Sequence, residues 1–429
     1  MNSITQRDSE SSDSTRAPGE RLPAVYWIGD SISIQYHETL SALCRGGYRY
    51  RRKTGLELAA QNLDAAQGAN GGDSGRVLAH VRELLEAECL PEEFVVVNCG
   101  LHDIKRDRAS GALQVPPEAY RNHLREIAFL MAAAGKTLVW IRTTPVDEQQ
   151  HARHSRGFDR LEKDLAGYNA IADEVMKTAG VAVLDLCGFT ERLPGPLYCD
   201  HVHFHPWVRR AQAGFLRREL DRLLRPDLPK FFAFLGDSIT DAGHDRTTPE
   251  DPGKGYLGRL SERLPTARLL NFGISGNRLE DLRGRLESMP LEASLLVLYG
   301  GINDVVHIFK RGRPQTVQDF VLEFEGLLDD ARRLGIPLRV MLPFVGEACP
   351  VPRAQPWWPL AGAGHEAWRR ELLPRQAAME RACAARSIPC LSLQPLLGDV
   401  MDPLSEDGVH PTAEGHVRLA DAVADWLSG

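Results

Sequence analysis

The chain has 429 residues, 43% of them hydrophobic and 25% charged, the balance of a folded globular protein and not of a fibrous or collagen-like one. Its formal charge of -7 offers no basic footprint, so neither nucleic acid nor an anionic lipid surface is expected as a partner. No apolar run approaches the roughly 20 residues that span a bilayer, so no membrane association is expected.

Residues 1–21 are rich in Ser, Asp, Glu and Arg and predict a disordered tail with no signal-peptide layout. A cytoplasmic location is therefore expected. The eight cysteines are scattered, with no C-x-x-C pair, and read as free thiols in a reducing compartment.

The first apolar run, AVYWIGDSIS (24–33), predicts a buried strand that ends in Gly-Asp-Ser at Ser31. EEFVVVNCGLHD (92–103) predicts a second strand ending in Gly-Leu-His-Asp. Apolar residues at helical spacing over 118–135 predict a helix closed by Gly135. Strands follow in GKTLVWIRTTPV (135–146) and GVAVLDL (180–186), with a charged stretch, VDEQQHARHSRGFDRLEKDL, between them. YCDHVHFHP (198–206) is a loop holding Asp200 and His203, and an amphipathic helix starts at Pro206, a residue suited to a helix's first position. Pro226 and Pro229 then break the chain.

The same series begins again. FFAFLGDSIT (231–240) carries Ser238, ASLLVLYGGIND (293–304) matches 92–103, and a helix is predicted over 317–335. GIPLRVMLPFV (335–345) and IPCLSL (388–393) repeat the later strands, SEDGVHP (405–411) carries Asp407 and His410, and a last helix is expected to begin with Pro411. The loaded residues recur at one offset: 238 − 31 = 207, 407 − 200 = 207 and 410 − 203 = 207. We read a duplication, with domains at 22–225 and 229–429. Strands alternating with helices imply parallel sheets covered on both faces, with the residues at strand ends gathered on one rim.

A serine hydroxyl becomes a nucleophile when a histidine takes its proton and a carboxylate fixes that histidine. An Asp three residues before a His can do this within one loop. Backbone and side-chain N–H groups must also stabilise the oxyanion. In the second repeat the Gly273 N–H, expected to be free, the Asn303 amide and the Ser238 N–H are the candidates.

GDSIT, NFGISGN, GGIND and DGVHP, in that order over 229–429, resemble the four blocks of the SGNH (GDSL-type) serine hydrolase family. The resemblance implies two tandem three-layer α/β/α sandwiches of flavodoxin-like type, each with a parallel sheet of about five strands. It implies ester hydrolysis without a cofactor on a small acylated metabolite or carbohydrate, with nucleophile Ser238, oxyanion donors Gly273 and Asn303, and the pair Asp407–His410. In the first repeat it implies Ser31, Asp200 and His203. There QGANGGDS offers Gly68, Gly71 or Gly72 as backbone donor, with Gly71 preferred, and His102 stands where the family carries Asn. Acyl transfer or thioester cleavage would use the same groups, and a non-catalytic first domain is the rival reading. A metal at His201, His203 and His205 is not expected. The rim segments 146–165 and 345–368 differ most between repeats, and Trp357 and Trp358 in the latter could hold a sugar ring or acyl chain.

Overall fold

A computed structural model describes residues 21–155, 157–311, 314–347, 364–402 and 404–428. Most of the expected tail, and both Trp357 and Trp358, lie outside the described residues. The chain divides into two compact units, Met1–Leu224 and Arg225–Gly429.

The first unit runs β1 (Ala24–Ile28), β2 (Arg49–Arg52), β3 (Phe94–Val97), β4 (Arg106–Asp107), β5 (Thr137–Ile141), β6 (Phe158–Asp159) and β7 (Ala182–Leu184). Its main sheet has the order β2-β1-β3-β5-β7, all parallel, while β4 and β6 form a short antiparallel ribbon. The second unit runs β8 (Lys230–Gly236), β9 (Ala267–Gly273), β10 (Leu295–Tyr299), β11 (Leu338–Leu342) and β12 (Cys390–Ser392), in the parallel order β9-β8-β10-β11-β12. Both sheets therefore have the flavodoxin-like order, two-one-three-four-five. The expectation of parallel sheets of about five strands is met in each.

The middle strands are continuous apolar runs because both faces are covered. In the second unit the alternation is explicit. Phe232, Phe234, Val297 and Tyr299 join one apolar cluster with Tyr256, Leu260 and Leu419. Ala233, Leu235, Leu296 and Leu298 join another with Leu282, Phe324 and Met379. Each fully buried side chain such as Phe234 stabilises the sandwich by about 2–3 kcal/mol. In the first unit helix Ser31–Cys44 packs on helix Pro206–Leu224, and helix Pro117–Ala133 packs between Ser74–Glu86 and Glu162–Thr178. Strand β2, Arg-Tyr-Arg-Arg, is an edge strand, and its charges suit that place.

The helices predicted over 118–135 and 317–335 are Pro117–Ala133 and Val317–Arg333, with Gly135 and Gly335 at positive φ just beyond. The last helix starts at Ala413, not at Pro411. Pro411 instead bridges to Ser405, and the Thr412 hydroxyl caps the helix by accepting from the Gly415 N–H at 3.1 Å. Among the described residues no helix is long and apolar enough to cross a membrane.

Candidate active sites

Each site begins where the first strand of its unit ends. Asp30 and Asp237 cap the helix that follows, accepting from the N–H of Ile32 at 3.0 Å and of Ile239 at 3.1 Å. Ser31 and Ser238 are thus the first residues of their helices, where backbone N–H groups have no intrahelical acceptor. A Cβ on Gly236 would lie 2.2 Å from the Thr240 hydroxyl, so this turn closes on a glycine. The second carboxylate oxygens of Asp30 and Asp237 are enclosed without a partner, and burial pushes Asp237 up to about 7.

In the first unit His203 Nε2 lies 3.0 Å from Ser31 Oγ, and His203 Nδ1 lies 2.8 Å from Asp200 Oδ2. In the second, His410 Nε2 lies 2.9 Å from Ser238 Oγ, and His410 Nδ1 lies 2.6 Å from Asp407 Oδ2. A carboxylate can only accept, so each Nδ1 carries the proton and each Nε2 is left to accept the serine O–H. The loop makes this geometry locally. Asp200 Oδ1 accepts from the N–H of Val202 and of His203, and Asp407 Oδ1 accepts from Val409 and His410. Burial opposes the charge on Asp200 and Asp407, but the histidine bond and these N–H groups outweigh it and hold both below the usual carboxylate value. Burial likewise pushes His410 down, and the Asp407 bond and charge outweigh it, leaving His410 above its ordinary value.

The oxyanion side departs from expectation. Gly71 is not a free donor: its N–H is given to the Gly29 carbonyl at 2.9 Å, as the strand-end bridge between Gly29 and Asn70 requires. Gly68 bears φ +54 and packs on Gly55, and the Gly72 N–H goes to Asn70 Oδ1 at 3.0 Å. The Gly273 N–H, expected to be free, is 2.9 Å from Asn271 Oδ1. Gly273 is instead required by close approach, since a Cβ there would meet the Asp241 backbone nitrogen at 2.1 Å. Asn303 Nδ2 gives one hydrogen to the Asn277 carbonyl at 3.0 Å and has a second to offer. His102 is 2% exposed, and burial, then the charges of Lys105 and Arg160, push it well below its ordinary value. A ring so held is neutral and carries one N–H.

Asp103 and Asp304, which close the third blocks, tie those loops back to the starts of earlier helices, Ser74–Glu86 and Leu279–Gly284. Asp103 accepts the Ser74 N–H at 2.9 Å, and Asp304 accepts the Leu279 N–H at 3.2 Å. Asp200, His201 and His203 place ligand-type atoms within 4.8 Å of one another. Those atoms already bond within the pair, to Ser31, and, from His201 Nε2, to Asp64 at 3.1 Å.

Asp64, Lys105 and Arg160, which surround His201, escaped the sequence reading, as did Asn271 beside Gly273. Lys105 lies two residues after the third block and could have been noticed; Arg160 and Asp64 lie in segments without a motif.

Residues 234–418 match the GDSL-like Lipase/Acylhydrolase family. An acetylxylan esterase of Geobacillus stearothermophilus is 28% identical over 220 residues, which are 44% of this chain and 90% of that protein. Among solved structures, a catalytic mutant of Axe2, an acetylxylan esterase from Geobacillus stearothermophilus, is 22% identical with a TM-score of 0.39, over 46% of this chain and 93% of that one. LAE5, an alpha/beta hydrolase enzyme from the metagenome of Lake Arreo, Spain, is 23% identical with a TM-score of 0.38, over 46% and 94%.

Proposed function

We propose, from the premise that this chain belongs through residues 234–418 to the GDSL-like lipase/acylhydrolase family of carboxylic ester hydrolases, that it is a serine esterase with two active sites. Ser238, Asp407 and His410 form one, in the second domain; Ser31, Asp200 and His203 form the other, in the first. The observation that carries this reading is the repeated Ser–His–Asp chain of hydrogen bonds, with serine and histidine 172 positions apart in both units.

In each site the histidine takes the serine proton as Oγ attacks the ester carbonyl. The carbonyl π electrons move to oxygen, and the serine N–H and the second Asn303 hydrogen, or the His102 N–H, stabilise that charge. Collapse breaks the ester C–O bond, and the histidine returns its proton to the leaving alcohol. The acyl-serine is then cleaved by water through the same groups, releasing the acid. Gly273 supplies its N–H only if Asn271 shares it.

The substrate reading is an acetyl ester of a carbohydrate, supported by the acetylxylan esterase relative. The test is acetate release from acetylated xylo-oligosaccharides by the full chain and by the variant carrying both Ser31→Ala and Ser238→Ala. Release that falls by about 10³-fold or more in the variant supports the reading. Turnover of aryl acetates with no release from any acetylated sugar would remove the carbohydrate.

A further inference from the structure

We propose that the site of Ser31 contains an anion-binding subsite, formed by Arg160 and Lys105, that selects esters bearing a carboxylate or phosphate group. It rests on the reading of Ser31 as a nucleophile and adds to it the substrate's charge.

Arg160 follows β6 and is 2% exposed. Its Nε donates to the Leu101 carbonyl at 2.8 Å, and its Nη1 lies 3.4 Å from His201 Nδ1. Leu101 precedes His102, and the His201 ring stands edge-on to that of His203, 5.5 Å between centroids. The guanidinium therefore sits between the two blocks that frame the reacting serine. Its Nη2 has no acceptor among the described residues, yet it is not among the enclosed unpartnered atoms, so it keeps an edge open.

Lys105 brings a second charge to the same place. Its Nζ donates to the Asp64 carbonyl at 3.1 Å, and it leans on the Phe158 ring at 4.8 Å, while Arg160 leans on that ring at 4.9 Å. Among the described residues neither cation has a carboxylate oxygen within 4.0 Å. The neighbouring Asp64 carboxylate is turned to His201 Nε2, whose bond holds it down at about 2. Burial lowers Lys105 to about 8 and Arg160 to about 10, so both remain charged at neutral pH.

Two cations are gathered behind a reactive serine, and the nearby carboxylates Asp64 and Asp200 are already committed to His201 and His203, so neither cation is directly paired. Desolvating a guanidinium is costly without a counter-charge. A carboxylate or phosphate on the acyl or alcohol part of an ester would supply one, and the open Nη2 with Lys105 Nζ can donate to its oxygens.

The experiment uses the full chain carrying Ser238→Ala and compares kcat/KM for a neutral aryl acetate, an aryl hemisuccinate, and an aryl acetate bearing a phosphate. A preference of about tenfold or more for one anionic ester, which falls in Lys105→Gln and in Arg160→Lys and falls with added salt, is expected. Competitive inhibition by succinate or by inorganic phosphate tells which oxyanion fits. Fluorophosphonate labelling of Ser31 in the same protein reports the nucleophile separately. Labelling with no anionic preference and no inhibition overturns the subsite and leaves the nucleophile. Without labelling, calorimetry with succinate and phosphate decides: binding lost in Lys105→Gln supports the subsite, and no binding overturns it.

Discussion

His203 Nε2 lies 3.0 Å from Ser31 Oγ, although the two residues are 172 positions apart in the chain. Such a contact between a strand-end serine and a loop histidine arises because a parallel sheet delivers its carboxyl ends to one rim. With Nδ1 held by Asp200, the imidazole presents its lone pair to the hydroxyl. His203→Ala, in the Ser238→Ala background, is expected to lower aryl ester hydrolysis by roughly 10³-fold or more. Steady-state rates on the folded variant check this; an unchanged rate would mean that another base serves Ser31.

His102 is expected to act as a neutral donor to the oxyanion at Ser31. His102→Ala should reduce kcat of the first site by about 10²-fold, with KM little changed, as for loss of an oxyanion donor. His102→Asn should recover part of it. Because burial holds His102 well below its ordinary value, its charge state stays constant from neutral to mildly acidic pH. The ratio of variant to parent rate should then be flat across that range.

The second site should have its own acid limb. His410 must be neutral to accept the Ser238 proton, and its environment raises it above 6.5. In the Ser31→Ala variant, kcat/KM should therefore fall as pH drops through a midpoint higher than that of an ordinary histidine. Asp407→Asn should remove the principal cause of the raise and cost about 10³–10⁴-fold in kcat.

Three buried carboxyls give stability a second pH dependence. Burial pushes Asp103, Asp237 and Asp304 each from 3.8 up to about 7. A carboxyl whose folded value is raised favours the folded state fully below its unfolded value, and that contribution is lost as pH rises through the folded one. Tm should consequently fall between about pH 4 and 7 and level off above that range. Scanning calorimetry at several pH values checks this, and Asp304→Asn should shrink the fall.

Gly273→Ala tests the packing around the second site. The added Cβ would sit 2.1 Å from the Asp241 nitrogen, a backbone atom that cannot swing aside. Destabilisation by about 3 kcal/mol or more is expected, with loss of activity at Ser238. Denaturant unfolding measures it; a stable, active variant would show that the strand end can shift.

Much of this was legible in the sequence. Apolar runs such as Leu295–Tyr299 announced strands buried on both faces, and the three residues at offset 207 announced the repeat. Asp200 and His203 are three apart, and a spacing carries that geometry. What stayed hidden depends on contacts between distant segments. Nothing local reveals that Gly71 gives its N–H to Gly29, or that Asn271 turns its amide oxygen to Gly273. Arg160 reaches Leu101 and His201, 59 and 41 residues away, and such convergence leaves no pattern along the chain.

The central claim, two serine nucleophiles in one chain, is tested most directly by intact-protein mass after exhaustive fluorophosphonate labelling. The parent chain should gain two adducts, Ser31→Ala and Ser238→Ala one each, and the double variant none. A single adduct on the parent that Ser31→Ala leaves untouched would contradict the account, leaving the first unit with the fold and the hydrogen bonds of a hydrolase but not its reaction.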